Sequence, residues 1–366
     1  MAAQISPFRI AIPEHEIADL RDRLARSRWA DAAVDDWSWG TPPSALRFLT
    51  DEWLHRYDWR ATEARFNERE QYLVPVEGAL IHTVRAGTPG GIPLLLIHGW
   101  PDGFLRFEKV LPLLSDSFDI VIPSIPGYGF STSSLLHGWG PVTVAAAFNE
   151  VMSAFGIDSY IVHGADHGSG IAEALGARYP DRVTAVHLSD VPPWRRYTIN
   201  PEEHSAAVRD YARVGAEWFA NEGAYAAEHR TKPQTIGFAL ADSPLGLASW
   251  MFEKLHGWAD NDAPSGGLTM GDVLDDISLY WLTGSAASAI RYYRDASGHL
   301  LRPTERASQP TGFTVFPHDT VVATPEYAEL FFDLRHFNLQ PYGGHFGAWE
   351  QPELFSADLR RFVDSL

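Results

Sequence analysis

The run Ser159-Tyr160-Ile161-Val162-His163-Gly164-Ala165-Asp166-His167-Gly168-Ser169-Gly170-Ile171-Ala172-Glu173-Ala174-Leu175-Gly176-Ala177-Arg178-Tyr179-Pro180 decides the fold of this chain. Its first five residues, rich in β-branched and aromatic side chains, predict a short strand. Ser169 to Tyr179 predict a helix that stops at Pro180. Between them, Gly164 and Gly168 stand two places either side of Asp166. Strand, tight turn and helix with small flanking residues form a nucleophile elbow, in which a strained turn lifts the central side chain off the sheet. In esterases that residue is serine. Here it is aspartate, which narrows the chemistry.

The same alternation extends outward. Leu73–Val76 and Ala79–Val84, separated by Glu77-Gly78, predict a hairpin. Pro93–Ile97 is wholly apolar, the pattern of a strand buried on both faces of a parallel sheet. Phe104 to Leu114 reads as a helix and Phe118–Pro123 as the next strand. Val144, Phe148, Val151 and Phe155 share a helix face that stops at Gly156. Val183–Leu188 follows the elbow helix. This spacing predicts an α/β doubly wound, mostly parallel sheet. The alternation lapses over 195–300, which reads as helical, with Pro201–Asn221 and Gly271–Tyr293 as examples. It resumes at Gly312–Phe316 and Arg335–Leu339 and ends in a helix carrying Phe355, Leu359 and Phe362. A helical insertion late in such a sheet predicts a lid over its C-terminal edge, where open α/β sheets bind ligands. The division expected is a core of 71–194 with 301–366, a lid of 195–300, and an N-terminal segment of 1–70. That segment reads as helices and turns without a core of its own. Ile17, Leu20 and Leu24 share one face and Leu46, Leu49, Trp53, Leu54 and Tyr57 another, with a tryptophan-bearing loop from Trp29 to Pro43 between them.

Composition excludes several classes. The 366 residues are 45% hydrophobic and 21% charged, ordinary for a globular chain. A net charge of −18 repels phosphate backbones and anionic bilayers, so no nucleic-acid or membrane partner is expected. The absence of cysteine removes thiolate metal sites, iron–sulfur clusters and cysteine nucleophiles. Met1 to Arg9 lacks a basic start followed by an apolar run, and no apolar stretch of about 18 residues occurs. A cytoplasmic location is the default expectation. No metal or organic cofactor is implied, and a homo-oligomer is left open.

An elbow nucleophile needs an oxyanion hole, a base and an acid. The hole takes the backbone N–H of the residue after the nucleophile, His167, and one from the loop after an earlier strand. His98-Gly99-Trp100-Pro101-Asp102 is in that place, with Trp100 as donor, and an X-Pro bond in such a turn can be cis. Tyr342-Gly343-Gly344-His345-Phe346 offers His345 as base. Phe316-Pro317-His318-Asp319 offers Asp319 as acid, with Asp190 its rival. Aspartate is ionised at neutral pH and attacks saturated carbon without a base, giving an alkyl ester. His345 then activates water against that ester. Alkyl halides and epoxides both fit. A halide leaves as a stable anion, whereas an epoxide oxygen needs a proton, for which a tyrosine hydroxyl is suited.

Further stretches carry a resemblance. Pro7–Ile10, Leu20–Leu24 through Trp29, Tyr57–Arg60, His98–Pro101, Pro126–Ser131, Thr231–Thr235, Asp242–Leu247, Phe316–Asp319 and Gly343–Phe346 together resemble the α/β-hydrolase-fold epoxide hydrolases, in their microsomal and juvenile-hormone branch with an N-terminal meander. The resemblance spans nearly the whole chain. It implies the α/β-hydrolase fold, a small-molecule epoxide and water as substrates, a vicinal diol as product, and two lid tyrosines that donate to the epoxide oxygen. These map to Tyr225 and Tyr293, with Tyr292 adjacent. Two positions depart: His167 stands where the family usually has tryptophan, and Asp319 where this branch often has glutamate. The loss of that indole disfavours a haloalkane or haloacid dehalogenase. Trp100, His167, Trp194, Trp218, Trp281 and Phe346 are candidates for an apolar pocket, suited to an apolar or aromatic epoxide. His98 is expected to brace the oxyanion loop. A binding protein with an idle site is the remaining alternative.

Overall fold

A computed structural model describes residues 4–133 and 138–366; Met1 to Ala3, with which the N-terminal reading began, lie outside the described residues. The strands are β1 (Ser6–Phe8), β2 (Glu70–Val76), β3 (Ala79–Gly87), β4 (Ile92–Ile97), β5 (Phe118–Pro123), β6 (Tyr160–Gly164), β7 (Val183–Leu188), β8 (Pro310–Val315) and β9 (Asp333–Leu339). They form one sheet in the order β1-β2-β3-β5-β4-β6-β7-β8-β9. β1, β2, β3 and β5 pair antiparallel, and every pairing from β5 through β9 is parallel.

The helices are α1 (Glu14–Ala25), α2 (Pro43–His55), α3 (Trp59–Phe66), α4 (Leu111–Leu114), α5 (Pro141–Ala154), α6 (His167–Arg178), α7 (Ala206–Glu222), α8 (Ala224–Thr231), α9 (Pro233–Asp242), α10 (Pro244–Gly257), α11 (Met270–Leu282), α12 (Ala286–Ala296), α13 (Pro325–Ala328), α14 (Gly347–Glu350) and α15 (Pro352–Asp364). Helices α7 to α12 all lie between β7 and β8 in the chain. No helix of the described residues is long and apolar enough to cross a membrane.

Leu94 to Ile97 of β4 are wholly buried, as the unbroken apolar run required. Each such side chain contributes roughly 1.5–3 kcal/mol relative to exposure. From β4 the chain crosses to β5 on one side and returns to β6 on the other. The crevice at the carboxyl ends of β4 and β6 is therefore a topological switch point, the usual ligand position in such sheets.

Three local expectations are corrected. Phe104–Leu114 is not one helix: a 3-10 turn at Phe104–Phe107 precedes α4. Pro112 falls in the first turn of α4, where its missing N–H is not needed. Gly271–Tyr293 divides into α11 and α12 at Gly284, whose φ of 64° is left-handed. The N-terminal segment is not wholly helical, since β1 pairs with β2 at the sheet's edge, where Pro7 is tolerated.

That segment is fastened to the inserted helices and to the core. The Trp53 indole donates to Ser278 Oγ at 2.8 Å, and Tyr57 and Thr62 hydroxyls both donate to Asp275 at 2.8 Å. Trp37 stacks on His256, with ring centroids 3.8 Å apart. On the core side, Arg65 pairs with Glu108 at 2.8 Å.

Candidate active site

Register brings the site together. Ile97 of β4 is level with Gly164 of β6, so the segments leaving both strands, with Trp100 and Asp166, emerge side by side. Leu188 of β7 is also level with Gly164, which places Asp190 beside Asp166, each two residues past its strand partner. A parallel bridge between His318 and Gly344 sets Asp319 beside His345.

The elbow needs its small residues. A Cβ on Gly164 would lie 2.0 Å from the Gly168 carbonyl oxygen, and one on Gly168 2.3 Å from that of Ile97. Asp166 holds φ 54° and ψ −122° and is the one non-glycine residue with positive φ among those described. Such a conformation costs about 1–3 kcal/mol and persists because the surroundings enforce it. Asp190 contributes: its Oδ2 accepts the Asp166 backbone N–H at 2.7 Å.

The Asp166 carboxylate lies in a ring of donors. Trp100 N–H donates to Oδ1 at 2.9 Å, and the His167 amide, at the start of α6, also lowers the proton affinity of the carboxyl. Gly99 permits this approach, because a Cβ there would lie 2.4 Å from Asp166 Cβ and Oδ1. The Trp100–Pro101 bond is cis. Burial by itself would raise Asp166; imidazole charge and the two amides outweigh it and hold the group below its ordinary value. Of the two neighbouring imidazoles, burial pulls His167 down, whereas His345 is raised to about 9. The charge beside Asp166 at neutral pH is therefore that of His345.

His345 Nε2 lies 3.7 Å from Asp166 Oδ2, and its Nδ1 lies 2.7 Å from Asp319 Oδ1. Burial opposes the charged ring, but Asp319 and then Asp166 overcome that opposition. Asp190 does not touch His345; burial and the nearby Asp319 charge push it up to about 7. His98 accepts the Ile125 N–H at Nε2, 3.0 Å away, leaving Nδ1 to donate to the Gly99 carbonyl at 3.0 Å. It fastens the loop that carries Trp100 to the turn after β5.

Above these groups, Tyr225 on α8 stacks on Trp100 at 5.2 Å and lies 6.0 Å from Tyr293 on α12, centroid to centroid. Burial foremost, then the Asp166 charge, raises Tyr225; burial, Tyr225 and Asp166 raise Tyr293, so both remain phenols. Their hydroxyls influence one another without a well-formed hydrogen bond. Tyr292 packs on His167 at 4.5 Å and Tyr128 at 6.4 Å; Tyr293 lies as close to His167, at 4.5 Å, and it alone of the two also meets Tyr225.

A cleft opens onto Asp166 and His345. Its walls are largely Val191, Pro192, Tyr211, Phe219, Val321 and Tyr327, with Arg196 among them. None of the six pocket candidates is among these walls. Trp194 donates to Glu173 at 3.1 Å, and Trp281 carries the Arg23 guanidinium 5.8 Å from its ring. Trp218 and Phe346 each pack against Trp258, Phe346 wholly buried behind His345. Trp100 and His167 border the phenols. Isolated aromatics carry no signal that separates a wall from a core position.

Two buried groups were missed from sequence. Arg106 pairs with Asp102, whose other oxygen accepts the Gly99 N–H at 2.9 Å, and it also donates to the His345 carbonyl. Glu350 accepts from the backbone N–H groups of Asp260, Phe346 and Gly344 at 2.7, 2.9 and 3.2 Å. The spacing of four between Asp102 and Arg106, and between Phe346 and Glu350, was the available signal. Among the described residues no cluster of three or more histidine or acidic side chains is arranged to hold a metal ion.

An aspartate at the elbow beside a histidine–carboxylate pair, on a sheet of this order, is the arrangement of the α/β-hydrolase fold. Comparison with known proteins narrows this. A family model described as the epoxide hydrolase N terminus matches residues 5–107, and one described as the alpha/beta hydrolase fold matches 92–262. A protein of Stigmatella aurantiaca provisionally named an epoxide hydrolase is 38% identical over 97% of this chain and 84% of its own length. Epoxide hydrolase 1 of Oryctolagus cuniculus is 30% identical over 98% and 88%. The solved structure of the Aspergillus niger epoxide hydrolase superposes with a TM-score of 0.87 and 31% identity, covering 100% of this chain and 97% of its own. Juvenile hormone epoxide hydrolases are further matches. The chain belongs to the epoxide hydrolase family.

Proposed function

We propose that this enzyme opens an epoxide by attack of Asp166 on a ring carbon, with Tyr225 and Tyr293 donating to the oxygen that departs. The C–O bond breaks as the Asp166–carbon bond forms, and a phenol proton passes to the new alkoxide, giving a β-hydroxyalkyl ester. Water then attacks the ester carbonyl carbon and gives its proton to His345 Nε2. The Trp100 and His167 amides hold the developing oxyanion. Collapse expels the second diol oxygen, which takes the proton left on the Asp166 carboxyl, and the proton that His345 sheds on esterification returns to the tyrosinate, so the carboxylate, both phenols and the charged ring are restored. Asp319 orients the ring and stabilises its charge.

The observation that carries this reading is the placement of one carboxylate between the Trp100 amide, 2.9 Å away, and the His345 ring, 3.7 Å away. The gap to His345 is too long for a hydrogen bond and suits a water poised for the second step. The resting charge on Asp166 helps hold His345 protonated; esterification removes that charge and frees the base when it is needed. Asp166, in turn, needs no base for attack.

The test is His345→Gln with an aryl epoxide. The first step survives, so a mass increase equal to the epoxide is expected on the peptide containing Asp166. Diol formation without any trapped ester would refute covalent catalysis. Halide release from haloalkanes, with no diol from any epoxide, would select a dehalogenase.

A further inference from the structure

The two arginines after Pro193 are adjacent in sequence and opposite in circumstance. Arg195 is wholly buried and fully engaged. It pairs with Glu173 at 2.8 Å, donates to the carbonyls of Pro303 and Glu305, and lies 4.2 Å from the Trp194 ring centroid. Arg196 is half-buried, lines the catalytic cleft, and forms no ion pair among the described residues. Its guanidinium lies flat on Phe219, 3.3 Å from the centroid, and Nη2 meets the Tyr197 hydroxyl. Nη1 is buried without a partner.

A second orphan borders the same cleft. Tyr327 is 1% exposed, its ring stacks on Tyr211 at 4.0 Å, and its hydroxyl is buried without a partner. Arg196, on Phe219, and Tyr327, on Tyr211, both line this cleft against the same helix, α7, so the two orphan donors border one opening. Burial keeps Tyr327 a proton donor, pushed up to about 12. A desolvated guanidinium and a desolvated phenol, each lacking an acceptor, are costly unless a ligand supplies one.

We propose that Arg196 Nη1 and Tyr327 Oη form a carboxylate subsite, and that the substrates of this enzyme include epoxides bearing a carboxylate at the end of the molecule away from the ring. The inference deepens the epoxide hydrolase reading and rests on it. One guanidinium and one phenol match the two oxygens and single charge of a carboxylate better than a phosphate dianion. The cleft that holds both this subsite and Asp166 is also lined by Val191, Pro192 and Val321, which suit a hydrocarbon or aryl spacer. At the other end, the raised His345 offsets the charge of Asp166.

The test compares an epoxide carrying a terminal carboxylate with its methyl ester. In each enzyme the quantity read is the ratio of the two kcat/KM values, which cancels any general loss from the substitution. The native enzyme is expected to favour the acid by roughly tenfold to a hundredfold, the strength of a charge-assisted hydrogen bond. Arg196→Met should abolish the preference, Arg196→Lys should keep part of it, and Tyr327→Phe should lose a smaller share. A phenylalkanoate should inhibit the native enzyme competitively and lose at least tenfold in affinity for Arg196→Met, while inorganic phosphate inhibits neither. An acid-to-ester ratio unchanged by Arg196→Met, or a native preference for the ester, would overturn the subsite. In either case diol from the ester would leave the epoxide hydrolase reading intact. No diol from any epoxide would sink that reading and the subsite with it.

Discussion

Replacing Asp319 by asparagine separates the two chemical steps. Asp319 and His345 meet at 2.7 Å with both side chains almost wholly buried. At a charge separation of about 4 Å and an effective dielectric of about 20, their attraction is about 4 kcal/mol, or about three pH units of proton affinity. Without it, burial is opposed only by Asp166, and His345 should fall from about 9 to roughly 6 or below. Ester formation needs neither residue and should keep its rate. Ester hydrolysis should slow by roughly 10²–10⁴, because the ring loses both its orientation and the partner of its charge. Titration of the His345 ring nitrogens by NMR reads the first effect. Stopped-flow tryptophan fluorescence with intact-mass measurement reads the second, as a rapid burst to a persistent ester. Asp190→Asn is the control, since its amide oxygen can still accept the Asp166 N–H. If Asp319→Asn turned over at the native rate while Asp190→Asn accumulated ester, the roles of the two acids would have to be exchanged.

Gly99→Ala should abolish the burst, losing roughly a hundredfold or more in ester formation, because the added methyl displaces Asp166 from the Trp100 amide; circular dichroism establishes that the variant is folded. Tyr225→Phe and Tyr293→Phe should each slow epoxide opening by roughly 10–100-fold in single-turnover experiments, and the double variant should form no ester, whereas Tyr292→Phe should change little. Arg106→Met leaves Asp102 buried without its partner and should lower Tm by roughly 4–7 °C in a thermal melt, at about 3–5 kcal/mol for a broken buried pair. His345 is raised in the folded state, so its contribution to stability is complete below pH 6.5 and is lost as the pH rises through about 9; at 1.4 kcal/mol per unit this is about 3 kcal/mol, measurable by urea titration across that range.

The alternation of apolar strands with periodic helices, and Gly164 and Gly168 around Asp166, made the sheet and the elbow legible, because both depend on local constraints written within a few residues. The grouping of Trp100, Asp166, Asp319 and His345 was legible for a related reason: they lie just past strand ends, where parallel register carries them to one crevice. The cleft wall was not. Tyr211, Phe219 and Tyr327 come from α7 and α13, and only the path of the inserted helices over the sheet decides which aromatic faces the opening. Trp194 and Trp281 had the same composition signal and turned toward Glu173 and Arg23. Asp190 was visible as an acid at a strand end, but its hold on a backbone amide instead of an imidazole depends on Gly164 and Leu188 being level, so that both aspartates stand two residues past one pair. The break of α11 from α12 turned on a left-handed Gly284 inside an otherwise helical pattern.

The contacts at Trp258 and Asp260 bear on how molecules enter and leave. The Trp258 carbonyl accepts the His345 N–H at 2.8 Å, Asp260 accepts that of Gly343 at 2.8 Å, and Glu350 ties both segments together from behind. Raising the segment after α10 would strip His345 of its own backbone anchors. The cleft between α7 and the loop after β8 opens onto Asp166 and His345 with those anchors in place, so a path through it asks nothing of them.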